Sequence, residues 1–472
     1  MMDPLLEMGA LELSRAIENG ETSCAAIMEH TLDRIDAVNP DVNAIISLRD
    51  REGLLDEARN ADKSERRSAL QGLPIAIKDL AETKGLRTTH GSPIFADHVP
   101  EADALAVKRL RDSGLIFIGK TNTPEFGLGS HSYNPVSGVT RNPYDLTKTA
   151  GGSSGGAAAA LATRMLPVAD GSDMMGSLRN PGAFCNVYGL RPTYGFIPND
   201  PIGETYLHPL ATLGPMARTI EDMALLLDVM AGPVAGDPFC LPAQPSFLEA
   251  LARKPLRGKI GWLGDWQGYY PLEPEILELC EKAVGTFDDL GYPVQPIVPD
   301  FDPARLWMAW TRLRSYAVAG KMKPLYDNPD HRKLLKPEAI YEIEQGLGLS
   351  SAEVAEASLA RSEWFSCLAE AFNDVDAIAL PSAQVVPFVA EIDWPRQICE
   401  RLMDTYHRWM EIVVLASLVG LPALNLPAGF TSSGLPMGFQ LMGRRGSDAN
   451  LLQLGQSYHE ATLWPQKNPP AL

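Results

Sequence analysis

Residues 151–160 read GGSSGGAAAA, and residues 168–181 read VADGSDMMGSLRNP. Glycine lets a backbone adopt positive φ and approach a ligand closely, so these two serine-bearing turns can present N–H groups and hydroxyls. The alanine-rich residues 157–166 predict a helix that begins directly after the first turn, and residues 168–170 predict a strand that leads into the second. Further helix and strand patterns alternate upstream of the turns, which favours an α/β fold.

A lysine lies at the end of a predicted strand upstream of both turns. Lys78 follows the apolar residues 73–77, LPIAI, which predict a buried strand. Burial lowers the pKa of a lysine because the ammonium group loses its hydration. Asp79 should point to the opposite face of such a strand, so it need not keep the lysine charged. A neutral lysine, two serines and a row of backbone donors suffice for acyl transfer without histidine.

This combination resembles the amidase signature family. The first turn, GGSSGG at residues 151–156, matches the family, and so do RIDAVNP at 34–40, GKTNTPEF at 119–126 and GLPALNLPAG at 420–429. The resemblance implies an α/β fold with a mixed β-sheet core of about eleven strands, covered by helices on both faces. It also implies a single amidase domain over residues 1–472.

The resemblance assigns chemical roles to three side chains. Ser177 would be the nucleophile, Ser153 would relay its proton, and Lys78 would be the base. Family members hold the relay serine after a cis peptide bond, which here is the bond between Gly152 and Ser153. The oxyanion hole would be formed by four backbone N–H groups, those of Met174, Met175, Gly176 and Ser177.

The second turn departs from the family pattern at one position. The family usually has two glycines before the nucleophile, whereas this chain has Met175 and Gly176. Either residue 175 tolerates negative φ or the turn is altered, and Met175 would line or narrow the pocket. Asp173 and Arg179 match the ion pair that braces this turn in the family. Ser154 is the rival of Ser153 for the relay role, and we expect it to brace the site instead.

Small residues follow the GKTNTPEF segment, where relatives contact their substrates. Gly127, Leu128 and Tyr133 are the predicted substrate-binding residues. Gly127, Gly129 and Ser130 suggest space on the acyl or leaving-group side, although a flexible loop fits the same residues.

Longer stretches indicate how the chain is organised. Residues 65–200 would form the signature core, and residues from about 300 to 375, rich in charge and aromatic side chains, would form a helical insertion that shapes the substrate pocket. Residues 10–40 predict two helices that stop at Asn39-Pro40. Residues 412–443 carry no charge and are long enough to span a bilayer, but their glycines and prolines predict short elements of a buried core.

Composition narrows the classes of protein. A net charge of −18 over 472 residues argues against a nucleic-acid binder, because such a protein needs a basic face. The six cysteines include no C-x-x-C pair and are typical of a reducing compartment. The N-terminus, MMDP, lacks the basic and apolar regions of a signal peptide, so a cytoplasmic location is expected. There is no H-E-x-x-H or C-x-x-C spacing, and the first turn lacks the G-K-[ST] ending of a P-loop, so the sequence predicts no metal and no organic cofactor.

The resemblance therefore implies a hydrolase that cleaves the C–N bond of carboxylic amides through an acyl-enzyme on Ser177. It would also accept carbamates (urethanes) and esters, with small or aryl-amine leaving groups favoured, as in the urethanase-type bacterial and metagenomic amidases of this family. The expected partner is a small-molecule amide, carbamate or ester, with no nucleic acid and no membrane, and the chain would be a monomer or homodimer.

Three alternatives stay open. The first is the A subunit of a tRNA-dependent amidotransferase, a relative in the same family that works as a glutaminase in a complex of several subunits. Residues 152–156 also match the G-x-S-x-G elbow of Ser-His-Asp esterases, but residues 141–148 predict a polar turn where an elbow needs a strand. A binding protein that keeps the fold with a damaged site is the third, and Met175 is the feature in its favour.

Overall fold

The computed structural model describes residues 3–253 and 258–472. Its α-helices in chain order are α1 (Pro4–Glu7), α2 (Ala10–Glu18), α3 (Cys24–Val42), α4 (Arg51–Lys63), α5 (Leu105–Asp112), α6 (Gly155–Ala162), α7 (Arg179–Phe184), α8 (Ile220–Met230), α9 (Phe247–Leu251), α10 (Ile276–Asp289), α11 (Pro303–Asp327), α12 (Pro329–Arg332), α13 (Pro337–Gly348), α14 (Ser351–Ala371), α15 (Val414–Ser417), α16 (Asp448–Thr462) and α17 (Trp464–Lys467). The strands are β1 (Ile45–Ile46), β2 (Pro74–Lys78), β3 (Ile116–Thr121), β4 (Tyr133–Asn134), β5 (Gly138–Val139), β6 (Arg141–Asn142), β7 (Asp145–Thr149), β8 (Val168–Asp173), β9 (Tyr188–Arg191), β10 (Thr212–Ala217), β11 (Ile260–Trp262), β12 (Val294–Pro296), β13 (Ala377–Pro381), β14 (Gln397–Ile398), β15 (Arg401–Leu402), β16 (Ala423–Phe430) and β17 (Pro436–Gly443).

The centre of the fold is an eight-stranded mixed sheet with the order β12-β11-β13-β17-β16-β9-β10-β8. Strand β11 is parallel to β12 and β13, and the other neighbouring strands are antiparallel. A separate three-stranded sheet has the order β1-β3-β2, with β2 parallel and β1 antiparallel to β3. The expected mixed α/β architecture is confirmed. The strands that were expected in a single sheet are divided between the eight-stranded and the three-stranded sheet.

The two sheets adjoin where the predicted strands at residues 73–77 and 168–170 lie. The backbone N–H of Lys78, at the end of β2, donates to Oδ1 of Asp170 on β8 at 2.9 Å. Helix α6 begins at Gly155, directly after the first glycine turn, and all of its residues are buried. A Cβ on Gly156 would lie 2.3 Å from the backbone nitrogen of Asn122 and 2.6 Å from the carbonyl oxygen of Ala44, so only glycine allows α6 to approach β3 this closely.

Two sequence-based expectations are wrong in their local detail. Helix α3 continues through Asn39-Pro40 to Val42, and it ends because Asn43 takes the left-handed conformation with φ of 53°. Residues 141–148 are not a plain turn: β6 and β7 pair there as a two-stranded antiparallel hairpin. Strand β7 therefore precedes the first glycine turn, but it belongs to this small hairpin and not to the eight-stranded sheet.

The uncharged residues 412–443 form part of the protein core. Helix α15 is followed by β16 and β17, which pair antiparallel at the middle of the eight-stranded sheet. Every residue of β17 is buried. Within residues 3–253 and 258–472, no helix is long and apolar enough to cross a bilayer.

Candidate active site

Lys78 is buried at the junction of the two sheets. Its side chain is 1% exposed, and its Nζ lies 2.8 Å from Oγ of Ser153, 2.8 Å from Oγ of Ser154 and 3.0 Å from Oγ of Ser172. Burial lowers the pKa of Lys78 from 10.5 to about 7, although the charge of Asp170 opposes this shift. About half of the Lys78 side chains are therefore neutral at pH 7, and only the neutral amine can act as a general base.

The two serines of the first turn both contact Lys78 but differ in their other contacts. The peptide bond between Gly152 and Ser153 is cis. Ser154 is fully buried, and its Oγ also lies 3.4 Å from both the backbone nitrogen and the carbonyl oxygen of Ser172. Its backbone N–H donates to the carbonyl of Ser177 at 3.2 Å, which ties the first turn to the second. These contacts hold Ser154 in place and leave Ser153 as the less constrained hydroxyl.

Ser177 lies in the second turn with its hydroxyl free. It is 6% exposed, more than Lys78, Ser153 or Ser154. In the described ranges, no hydrogen bond joins Ser177 Oγ to another group, whereas Ser153 Oγ is bonded to Lys78. Catalytic hydrogen bonds are often long in a free enzyme and shorten when substrate binds, so the lack of a hydrogen bond between Ser153 Oγ and Ser177 Oγ is compatible with a relay between the two hydroxyls.

A buried ion pair braces the second turn. The guanidinium of Arg179 binds the carboxylate of Asp173 through two hydrogen bonds, Nε to Oδ2 and Nη2 to Oδ1, both 3.0 Å long. Both side chains are fully buried. Burial by itself would raise the pKa of Asp173, but the adjacent charges of Arg179 and Arg191 hold it well below its ordinary value. Arg179 also donates to the carbonyl of Val413 at 2.9 Å, so the turn is fixed to the segment that precedes α15.

The backbone N–H groups of the second turn are not equivalent. The N–H of Gly176 donates to Oδ1 of Asp173 at 2.9 Å, so it is already engaged. Within residues 3–253 and 258–472, the N–H groups of Met174, Met175 and Ser177 have no backbone or side-chain acceptor. Three of the four expected oxyanion-hole donors are therefore available. The fourth, the N–H of Gly176, is already hydrogen-bonded to the carboxylate of Asp173.

Met175 occupies its position without strain. In this turn positive φ occurs at Gly176, with φ of 77°, and not at residue 175. A Cβ on Gly176 would lie 2.8 Å from Cγ2 of Val413, so the glycine is required there and not one residue earlier. The thioether of Met175 is 3% exposed, and its Sδ accepts from Nε1 of Trp310 on α11 at 3.2 Å. The side chain therefore joins the second turn to the helices of residues 303–371.

The expected substrate-binding residues lie in two different places. Gly127 is beside Ser153, since a Cβ built on it would be 3.5 Å from Oγ of Ser153 and 2.8 Å from Cδ1 of Leu80. Leu128 and Tyr133 instead line a small surface depression next to the first turn. The residues that close this depression include Lys336, Glu338, Tyr406 and Trp409.

Histidine is not part of this cluster. His131, the one nearest in sequence to the first turn, is buried, with Nδ1 2.7 Å from Oγ1 of Thr149 and Nε2 3.0 Å from the carbonyl of Ala390. Across the described chain no histidine forms a hydrogen bond with Ser153, Ser154 or Ser177. A strand does precede the G-x-S-x-G letters, but the histidine that an esterase triad requires is missing from this site.

One further letter pattern proves to be structural. Residues 114–121, GLIFIGKT, fit the spacing of a P-loop, yet residues 116–121 of this stretch form the buried strand β3. Nζ of Lys120 donates to the carbonyl of Ala81 at 2.7 Å and to Oγ1 of Thr83 at 2.8 Å. The lysine therefore secures the segment after β2 and does not face a phosphate.

Asp170, Ser172 and Arg191 were missed in the sequence. Asp170 and Ser172 lie two residues apart on β8, so both point toward Lys78, whereas Asp173 points to the ion pair. The sequence DGSD at residues 170–173 indicates this alternation, provided that these residues are predicted to be a strand. Arg191 donates to the carbonyl of Asp173 from the distant β9, and no local signal indicates that contact.

Proteins of known sequence or structure are similar to this chain over nearly its whole length. The sequence model of the family described as Amidase matches residues 26–452. An acylamidase from Rhodococcus erythropolis is 33% identical, with 98% of this chain and 97% of that protein aligned. The A subunit of the glutamyl-tRNA(Gln) amidotransferase from Thermus thermophilus is 36% identical over 96% of this chain and 97% of its own length. The crystal structure of a bacterial aryl acylamidase of the amidase signature family superposes with a TM-score of 0.91 at 27% identity, covering all of both chains.

Proposed function

Since this chain belongs to the amidase family and is an amide-hydrolysing enzyme of that family, we propose that it works through an acyl-enzyme on Ser177. The observation that carries this proposal is the buried Lys78, whose Nζ is 2.8 Å from Oγ of Ser153 and whose pKa is lowered to about 7. A lysine that is neutral near pH 7 can accept a proton from a serine, which an ordinary lysine cannot do efficiently.

In the proposed reaction, the proton of Ser177 Oγ passes to Ser153 as the proton of Ser153 passes to Lys78. The Ser177 oxygen attacks the substrate carbonyl, and the N–H groups of Met174, Met175 and Ser177 stabilise the negative oxygen. Collapse of this intermediate breaks the C–N bond, and Ser153 returns a proton to the leaving nitrogen while Lys78 reprotonates Ser153. Water then attacks the acyl-enzyme by the same relay and frees Ser177.

The proposed substrates are small amides, carbamates and esters, with aryl-amine leaving groups preferred. Similarity to the bacterial aryl acylamidase supports the aryl-amine preference. Carbamates place the same carbonyl between oxygen and nitrogen, and esters have a better leaving group, so the same attack by Ser177 applies to both.

The nucleophile is tested by covalent labelling with a fluorophosphonate, read by intact mass and peptide mapping. Wild type should carry one adduct on Ser177, and the adduct should be lost in Ser177→Ala and form at least about 100-fold more slowly in Lys78→Ala. Ser154→Ala is the matched control, because it removes a neighbouring hydroxyl and leaves the proposed relay. An adduct on Ser153 or Ser154 would refute the assignment.

A second candidate function is that of the A subunit of a tRNA-dependent amidotransferase. Relatives of that name at 34% and 36% identity favour it. The two candidates differ in substrate, so ammonia release from glutamine is compared with release of an aryl amine from the corresponding anilide. Faster turnover of glutamine, or co-purification of further subunits when the protein is isolated from its source, would favour the amidotransferase.

A further inference from the structure

A second cluster of polar side chains lies on the segment between β2 and β3. Nε2 of His90 is 3.0 Å from Oε1 of Glu82, and Nε2 of His98 is 3.0 Å from Oε2 of the same carboxylate. One potential ligand atom from each of the three residues lies within 4.8 Å of the other two. Both histidines thus direct Nε2 at the same carboxylate, one at each of its two oxygens.

The local structure holds the two imidazoles in this arrangement. The ring of Phe95 packs edge-on against both, with centroid distances of 5.1 Å to His90 and 5.9 Å to His98. The carbonyl of His90 accepts from the N–H of Phe126 at 2.8 Å, and the carbonyl of His98 accepts from the N–H of Thr88 at 2.9 Å. The two imidazoles are therefore positioned by packing and by backbone hydrogen bonds, which reduces the cost of ordering them around an ion.

The donor set and its surroundings suit a transition-metal cation. Two imidazoles and one carboxylate are a recurrent set for zinc, with a fourth position left for water or another ligand. The side chains of Glu82, His90 and His98 are 42%, 18% and 38% exposed, so an ion has access to them.

We propose that Glu82, His90 and His98 form a binding site for a first-row divalent transition cation, zinc in the first instance. Each imidazole would give its Nε2 lone pair to the ion and carry its proton on Nδ1. In the described residues none of the three side chains hydrogen-bonds to Lys78, Ser153 or Ser177, so the ion would secure the segment between β2 and β3 and take no part in hydrolysis. The ligands are eight residues apart along an irregular segment, which is why no short metal-binding spacing marks them.

The test uses the full-length protein, free of any affinity tag and stripped of metal by chelator. Zinc is added and followed by isothermal titration calorimetry and by thermal melting, with cobalt as a spectroscopic substitute. We expect one equivalent of zinc to bind and to raise the melting temperature. The absorption spectrum of the cobalt-loaded protein should be that of a cobalt ion with few ligands. His98→Ala should weaken zinc binding by more than about 100-fold. This is a larger loss of affinity than follows when a residue that only hydrogen-bonds to a metal ligand is replaced.

The matched control is His331→Ala, which removes a histidine outside the cluster and should leave zinc binding unchanged. Metal-free wild type and His98→Ala are both assayed for hydrolysis of an aryl amide. Activity shows that each protein is folded, and this assay does not depend on the measurement of zinc binding. Absence of a stoichiometric zinc isotherm in folded wild type, or equal binding by His98→Ala and wild type, would overturn the proposal. Either result would leave the proposed acyl-enzyme chemistry untouched.

Discussion

The titration of Lys78 should be visible in the pH dependence of catalysis. The proposed base acts only when neutral, and burial lowers its pKa from 10.5 to about 7. At about pH 8 the neutral fraction is then roughly nine-tenths, against about 0.3% for a lysine of ordinary pKa, an advantage of about 300-fold. The value of kcat/KM should fall tenfold per unit below about pH 7 and be flat above it.

The assay follows aryl-amine release from an anilide by absorbance between about pH 5 and pH 9, with each rate corrected for enzyme inactivation. Asp170→Asn identifies the titrating group, because the charge of Asp170 raises the pKa of Lys78 and asparagine keeps an oxygen for the Lys78 N–H. The acid limb should move to lower pH by up to about one unit, equivalent to about 1.4 kcal/mol of charge interaction.

Two results would refute this reasoning. A value of kcat/KM that still rises tenfold per unit up to pH 9 would mean that burial does not lower the pKa of Lys78. If the acid limb of the kcat/KM profile stays at the same pH in Asp170→Asn, the titrating group is not Lys78. Asp448 is then the strongest candidate, because burial raises its pKa to about 6.

Further predictions concern stability and specificity. Because the pKa of Lys78 is lower in the folded state, burial of this lysine costs stability fully below about pH 7, and the cost disappears as the pH rises to 10.5. By calorimetry, Lys78→Met should therefore raise the melting temperature most at or below pH 7 and progressively less toward pH 10; a gain independent of pH would contradict this. Arg179→Met leaves Asp173 buried without its bidentate partner and should lower the free energy of unfolding in urea by about 3–5 kcal/mol, whereas Lys108→Ala, at an exposed pair with Asp112, should change it by less than about 1 kcal/mol. Met175→Gly removes the thioether that contacts Trp310 and should alter the ratio of kcat/KM between bulky and small acyl groups by about tenfold; an equal effect on all substrates would argue against a role for Met175 in the pocket.

The helix and strand assignments around the site could be made from the sequence because each rests on local chemistry. The apolar run before Lys78 is strand β2, the alanine-rich segment is helix α6, and the segment before the second turn is strand β8. Errors arose where local signals compete with packing. Proline normally ends a helix, yet α3 carries Pro40 inside its last turn and ends at Val42, before the left-handed Asn43.

The sequence by itself determined the family and the mixed α/β class and indicated Lys78, Ser153 and Ser177, because glycine turns, serines and a strand-end lysine are recognisable at fixed spacing along the chain. Only the tertiary structure decided their electrostatics. Lys78 has its lowered pKa because two sheets and helix α6 close around it, and Asp170 tempers that shift from a strand 92 positions away. The distribution of oxyanion donors was decided in the same way, since Gly176 loses its N–H to a carboxylate that Arg179 and Arg191 hold ionised. The apolar run before Lys78 predicts a buried strand, but the size of the pKa shift depends on charges that folding brings from distant residues, and no local pattern records those charges.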